Sequence, residues 1–329
     1  MSRKFTTIMQ TDSTSTSYPA SWPAPDRSPL ASLLLLVGSV LLGMTVGALL
    51  ATGAASLMNT LTGNGPAPEL MALLRHPTRY PGAWTTLLVV QGVSHVCSFL
   101  LPALVFWYFF EKQRWGDFQP RSLKSVQGLG IVAIVVIAFM PLNGLIIQWN
   151  QGIQFPETLA PIERWMQAKE HELGELTNYL TTFNTPAQLA LAMLVIAVLP
   201  AIGEEVLFRG VIQRRFTEWT GGNPHVGIWL AAAVFSAIHM QFYGFFPRML
   251  LGALFGYLYV WAGNLWVPIL AHFVNNGFTV LMIYLRQRQV ISMDIENAER
   301  VPVMGGLLSL LLCLGLLYYF RRINEPVNS

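Results

Sequence analysis

Pro200-Ala201-Ile202-Gly203-Glu204-Glu205-Val206-Leu207-Phe208-Arg209 sets two adjacent carboxylates and a guanidinium inside a helix-forming apolar run. Elsewhere the chain keeps charge out of its hydrophobic segments almost completely. Asp12, Asp26, Asp117 and Asp294 all fall in polar stretches. A charge at the centre of a membrane helix costs about 2.5–3.5 kcal/mol on insertion scales, so one that is kept there is normally paired and functional. The stretch therefore reads as an embedded helix that carries chemistry.

The composition around it agrees. Of 329 residues, 53% are hydrophobic and 11% charged, and mean hydropathy is +0.48; an average soluble domain is about 25% charged. Apolar runs at about 30–55, 84–110, 126–149, 186–208, 226–242, 246–262, 264–286 and 304–320 approach or exceed the ~20 residues that cross a bilayer as a helix. The expected fold is all-α, a polytopic transmembrane helical bundle of about eight spans. The fifth and sixth runs are short, which implies tilt, a partly submerged hairpin, or a contribution to a cavity. Trp84, Trp107, Tyr108, Trp149, Trp261, Trp266, Tyr318 and Tyr319 flank the spans, as aromatic residues do at headgroup level.

This pattern divides the chain into five parts. Residues 1–28, rich in Ser, Thr and Pro, read as a disordered polar tail without the apolar core of a signal peptide. Transmembrane helices follow over 29–150, an amphipathic extramembrane segment over 151–185, and a second transmembrane block over 186–286 that carries the embedded glutamates. A loop, a last span and a short tail complete 287–329. Lys112, Arg114, Arg121 and Lys124, then Arg214 and Arg215, then Arg321 and Arg322 share a side with the N-terminal Arg3, Lys4 and Arg27. By the positive-inside rule that side is cytoplasmic, although Arg286, Arg288 and Arg300 run against it. The expectation is a multi-pass protein of the plasma (cytoplasmic) membrane, with both termini cytoplasmic. Its net charge of +3 is spread over the loops, so nucleic acid is not an expected partner. Cys97 and Cys313 lie in apolar runs and read as packing residues.

In the longest connection, Ile162, Trp165, Met166, Leu173, Leu176 and Leu180 recur at near-helical spacing between charged positions. This is the pattern of an amphipathic helix on a membrane face. His171-Glu172 begins an H-E-x-x-H zinc motif, but the fifth residue is Glu175, and the stretch reads as solvated charge. Gly252 and Gly256 have the small-x-x-x-small spacing of close helix packing.

On a helix, residues four apart share a face, so Glu205 and Arg209 can pair while Glu204 points elsewhere. Two further polar insertions occur in apolar sequence: His239, one turn after Phe235, and His272 with Asn276 on one helical face. Backbone and side-chain polar groups in a bilayer must be satisfied internally, and convergence of Glu204, His239, His272 and Asn276 on one hydrated cavity would satisfy all at once. An aspartyl pair is excluded, because no Asp lies in a span. G-x-S-x-G is absent, and Ser236 lacks an evident oxyanion hole. A hydrolase that activates water with glutamate and histidine is left, with or without a metal. A non-catalytic membrane scaffold and a proton-coupled transporter are the alternatives, and the halves show no symmetry that favours the latter.

Together the three motifs resemble the CPBP family of intramembrane proteases, the CAAX-processing and bacteriocin-processing enzymes. The family pattern E-E-x-x-x-R, F-x-x-x-H, H-x-x-x-N/D stands here as Glu204-Glu205 to Arg209, Phe235 to His239, and His272 to Asn276. The resemblance covers about 186–286, including Asn264-Leu265-Trp266-Val267-Pro268-Ile269. It implies an endopeptidase acting on a peptide or protein in or at the bilayer. Glu204 would activate water, and His239 would help to hold that water or a metal. His272 and Asn276 would bind the metal or stabilise the oxyanion. Glu205 and Arg209 would be an orienting pair, with Phe235 packed beside them. Glu204, His239 and His272 could hold Zn²⁺ with an open position; a metal-free glutamate mechanism stays equally open. Prenylated C-terminal tetrapeptides are substrates of some relatives, yet no prenyl groove is legible here.

Overall fold

Several helix starts are written as a polar cap followed by proline. Ser28 precedes Pro29 and accepts the Ala31 amide at 3.3 Å. Thr185 precedes Pro186 and forms a reciprocal capping box with Gln188, at 3.2 and 3.1 Å. Asn223 precedes Pro224 and accepts from the amides of His225 and Val226. Proline suits this first position because the amide it lacks would have no intrahelical partner.

A computed structural model describes residues 28–63, 69–123, 126–292 and 301–325, so the expected tail lies almost wholly outside the described residues. The described chain is helical, without strands. Seven helices are long and apolar enough to cross a membrane: α1 (Pro29–Leu61), α2 (Ala83–Phe110), α3 (Val126–Gln151), α5 (Pro186–Trp219), α7 (Phe245–Ala262), α8 (Trp266–Gln287) and α9 (Val303–Asn324). Between them lie the amphipathic α4 (Ala160–Leu180) and the short apolar α6 (Pro224–Ala237). The molecule is an integral, multi-pass helical bundle, and α6 makes eight spans when counted with the long ones.

Two boundaries differ from those read in sequence. α5 continues past 208 to Trp219, because the polar residues there are buried with protein partners. Gln213 Nε2 donates to the Gly256 carbonyl at 3.4 Å, and Arg214 Nη2 donates to the Asp117 carbonyl at 2.8 Å and to the Tyr259 hydroxyl. α6 stops at Ala237 rather than near 242, and its 14 residues span only about 21 Å. Ser236 Oγ donates to the Phe245 carbonyl at 2.6 Å, tying the end of α6 to the start of α7. That serine is structural.

The basic loops gather at one end of the bundle. Arg121 donates through its guanidinium to the carbonyls of Trp261 and Asn324, and through its amide to Gly263. Arg215 pairs with Glu111 at the end of α2. The opposite end carries α4, whose Trp165 packs on Phe242 in the α6–α7 turn at 5.3 Å between ring centroids. His171 is exposed there beside Glu175, as its polar setting implied.

Candidate active site

α5 is not regular where it carries the glutamates. Leu199–Glu205 is α-helical, and π-helical turns flank it at Met193–Val198 and Val206–Ile212. Such turns recur at functional sites because each inserts a residue and re-aims the side chains around it.

Glu205 and Arg209 still meet across this irregularity, with Arg209 Nη1 donating to Glu205 Oε1 at 2.8 Å. Both side chains are almost wholly excluded from the surface. Arg209 Nη2 also donates to the Gly252 carbonyl at 2.8 Å, and its guanidinium sits 4.9 Å from the Phe235 ring centroid and 5.5 Å from that of Phe255. From α8, His272 Nδ1 donates to the same Glu205 oxygen at 2.7 Å. Its imidazole stacks on Phe255 and meets the edge-on Phe235. Glu205 thus fixes two cationic or proton-bearing groups with one oxygen.

Asn276 is held as well. Its amide donates to the Ile196 carbonyl at 3.0 Å, while its oxygen accepts from Asn275 at 3.0 Å. The amide nitrogen then faces His272 Nε2 at 3.2 Å. With Nδ1 donating to Glu205, Nε2 is the imidazole's acceptor.

Glu204 is buried, with 9% of its side chain exposed, and Oε2 lies 4.0 Å from His272 Nε2. His239 sits in the turn after α6, its Nδ1 donating to the Phe235 carbonyl at 2.7 Å. Its ring lies 5.0 Å from that of Phe235, which stands between His239 and His272. Glu204, Glu205, Arg209, Phe235, His272 and Asn276 are therefore one contiguous cluster, with His239 joined to it through Phe235.

Two residues that the motifs did not single out also reach the cluster. His95 of α2 brings Nδ1 to 3.9 Å from Glu204 Oε1. Arg248, in the first turn of α7, interacts electrostatically with Glu204, His239 and Glu170 of α4. A histidine in span two and an arginine opening span six were visible signals, but nothing local ties either to the glutamates.

A polar cavity of about 480 Å³ opens beside this turn at the α4 end, lined by Gln151, Gln154, Glu163, Gln167, Glu170 and Tyr243 among others. Glu170 Oε2, the Tyr243 hydroxyl and Arg248 Nη1 are buried without hydrogen-bond partners among the described residues.

Glu204, His239 and His272, the residues that could hold Zn²⁺, are not gathered at ligand spacing. Among the described residues no three His, Cys, Asp or Glu side chains gather at ligand spacing, and His272 Nε2 already faces the Asn276 amide.

Residues 186–278 match the family model described as Rce1-like, type II CAAX prenyl endopeptidase. This segment is similar to Rce1-like domains. It spans all three motifs, whereas His95 and α4 lie outside it. The "Uncharacterized protein YpbD" of Bacillus subtilis is 35% identical over 111 residues, 32% of this chain and 53% of that protein. The "Putative membrane peptidase YdiL" of the same organism is 26% identical over 117 residues, 36% of this chain and 46% of that protein. The chain spans about half the length of these curated relatives. No solved structure matches it.

Proposed function

We propose that the chain is an intramembrane endopeptidase that hydrolyses a peptide bond of a membrane-associated or lipidated protein. Glu204 is the general base. It takes a proton from water as the water oxygen attacks the scissile carbonyl, and delivers that proton to the leaving amine as the C–N bond breaks. His239, with Nδ1 committed to the Phe235 carbonyl, turns the acceptor Nε2 to the water. His272 and Asn276 form the facing wall, where the Asn276 amide hydrogen that faces His272 Nε2 in the resting site turns to the developing oxyanion when substrate binds.

The observation that carries this reading is the contrast between neighbouring carboxylates. Glu205 receives both Arg209 and His272 on Oε1, whereas Glu204, also buried, has no direct hydrogen bond to either nearby imidazole. A scaffold has no use for such a group. Because Asn276 engages His272 Nε2, the proton transfers are assigned to the protein's own groups without a metal. The polar cavity beside α4 suits the water-soluble part of a substrate, and the likeness to CAAX prenyl endopeptidases supports a prenylated C-terminal segment as the class to try first. The end bearing the basic loops is assigned to the cytoplasm by the positive-inside rule.

The test compares wild type with Glu204→Gln in liposomes, using quenched peptides with and without a prenyl group. Loss of cleavage by about 10²–10⁴-fold is expected for removal of a general base. Undiminished cleavage by folded Glu204→Gln would overturn the assignment. No cleavage of any peptide by folded wild type would favour the non-catalytic scaffold.

A further inference from the structure

We infer that His95 is a positioning residue of this centre, holding one oxygen of the Glu204 carboxylate while His272 flanks the other; the inference rests on the peptidase reading above. The carboxylate stands between two imidazoles on different helices, with Oε1 3.9 Å from His95 Nδ1 and Oε2 4.0 Å from His272 Nε2. Both separations exceed a direct hydrogen bond. Catalytic contacts in a substrate-free site commonly have this looseness and tighten when substrate binds.

Three features show that the place of His95 is built. Its side chain is only 10% exposed, and its Nε2 is buried without a hydrogen-bond partner among the described residues. An imidazole in that position within a membrane helix costs free energy unless something uses it. Its plane is set by stacking on Phe99, at 4.6 Å between centroids and 16° between planes. The Leu199 backbone lies against it as well.

Gly203 supplies the third feature. A Cβ at this position would stand 2.9 Å from His95 Nε2 and 3.3 Å from Cδ2, so the absence of a side chain just before Glu204 admits the ring. α2 also turns π-helical immediately after His95, over Val96–Leu100. The segment matched by the family model begins at residue 186, so α2 lies outside it and completes the surroundings of its glutamate.

The nitrogen that faces Glu204 is Nδ1, which dictates the substitutions. Asparagine keeps a polar group at the δ position, glutamine keeps one only at the ε position, and phenylalanine keeps the stacking alone. In liposomes, His95→Asn should retain most of the wild-type kcat. His95→Gln and His95→Phe should lose about 100-fold in kcat at little-changed KM, the scale of an ~1 Å misplacement of a reacting group. Gly203→Ala should show the same kcat loss, since it pushes the ring aside. A purely packing role predicts that His95→Phe keeps its activity, or that Asn and Gln fall equally, and either result overturns the proposal.

A second readout does not depend on peptidase activity. The imidazole ¹⁵N shifts of His95 in detergent-solubilised protein should move on Glu204→Gln and stay put on a distant control, Gly38→Ala. Unmoved shifts would overturn the coupling even if the peptidase reading stands. Moved shifts in a protein that cleaves nothing would sink the peptidase reading instead, and with it the catalytic role of His95.

Discussion

His272 Nδ1 lies 2.7 Å from Glu205 Oε1 across the packing of α5 on α8, so the second glutamate orients the imidazole that flanks the first. The arrangement divides labour between neighbours in sequence. Glu205 is spent on structure, which leaves Glu204 available for chemistry.

The Glu205–Arg209 pair should be worth much more to folding than a surface ion pair. Removing one partner strands a buried charge, which costs about 3–5 kcal/mol. Arg209→Leu and Glu205→Leu are each expected to lower the thermal midpoint sharply in detergent. The double variant should lose less than the sum of the two, because no unpaired charge is left.

Chelation should leave peptide cleavage unchanged if the Asn276 amide holds His272 Nε2, as the 3.2 Å contact indicates. Cleavage rates after dialysis against a strong chelator, with and without Zn²⁺ readdition, read this directly. Loss on chelation and recovery with Zn²⁺ would instead require Asn276 to swing away and release Nε2 to a metal.

Gly227 is expected to be intolerant of any side chain. A Cβ there would meet Thr217 Oγ1 at 2.1 Å and the Thr217 amide nitrogen at 2.8 Å, at the crossing of α5 and α6. Gly227→Ala should destabilise by about 1–3 kcal/mol, the range for overpacking. Gly53→Ala, with nothing within 4 Å of the new carbon, is the matched control and should hold or raise the melting temperature.

Docking of α4 should strengthen as pH falls. Burial pushes the Glu170 carboxyl above the ordinary carboxylate range, against the weaker opposing pull of the Tyr243 amide, Arg248 and the Phe242 amide. A carboxyl raised in the folded state contributes stability that is complete below its unfolded value and is lost as pH rises through the folded one. Hydrogen exchange across residues 160–180 should therefore slow on acidification. Glu170→Gln should abolish that dependence while keeping the slow exchange at neutral pH.

The parts of the site legible in sequence were the local ones. Glu205 with Arg209, and His272 with Asn276, are four residues apart on single helices, where spacing alone brings side chains together. The small-residue spacing at Gly252 and Gly256 likewise marked a real crossing. A Cβ at Gly252 would meet Ala232 at 3.2 Å, and one at Gly256 would meet Gln213 at 2.7 Å and Ile228 at 2.9 Å. The end of α5 was misjudged because Gln213 and Arg214 look like a loop to a hydropathy reading, and only their partners on α7 and in the 111–123 segment make them interior.

By itself, the sequence determined the class of molecule: hydrophobic runs of bilayer length must become helices, since no other unclosed structure satisfies its backbone there. It also determined which polar groups those helices had to accommodate. Tertiary structure alone decided how the groups are shared. Glu205 rather than Glu204 receives His272, His95 arrives from a helix more than a hundred residues away, and Arg248 of α7 interacts with Glu170 of α4. Those choices depend on close helix approach at Gly203, Gly227 and Gly256 and on the register shifts of the π-helical turns. Neither is encoded in the spacing of any one segment.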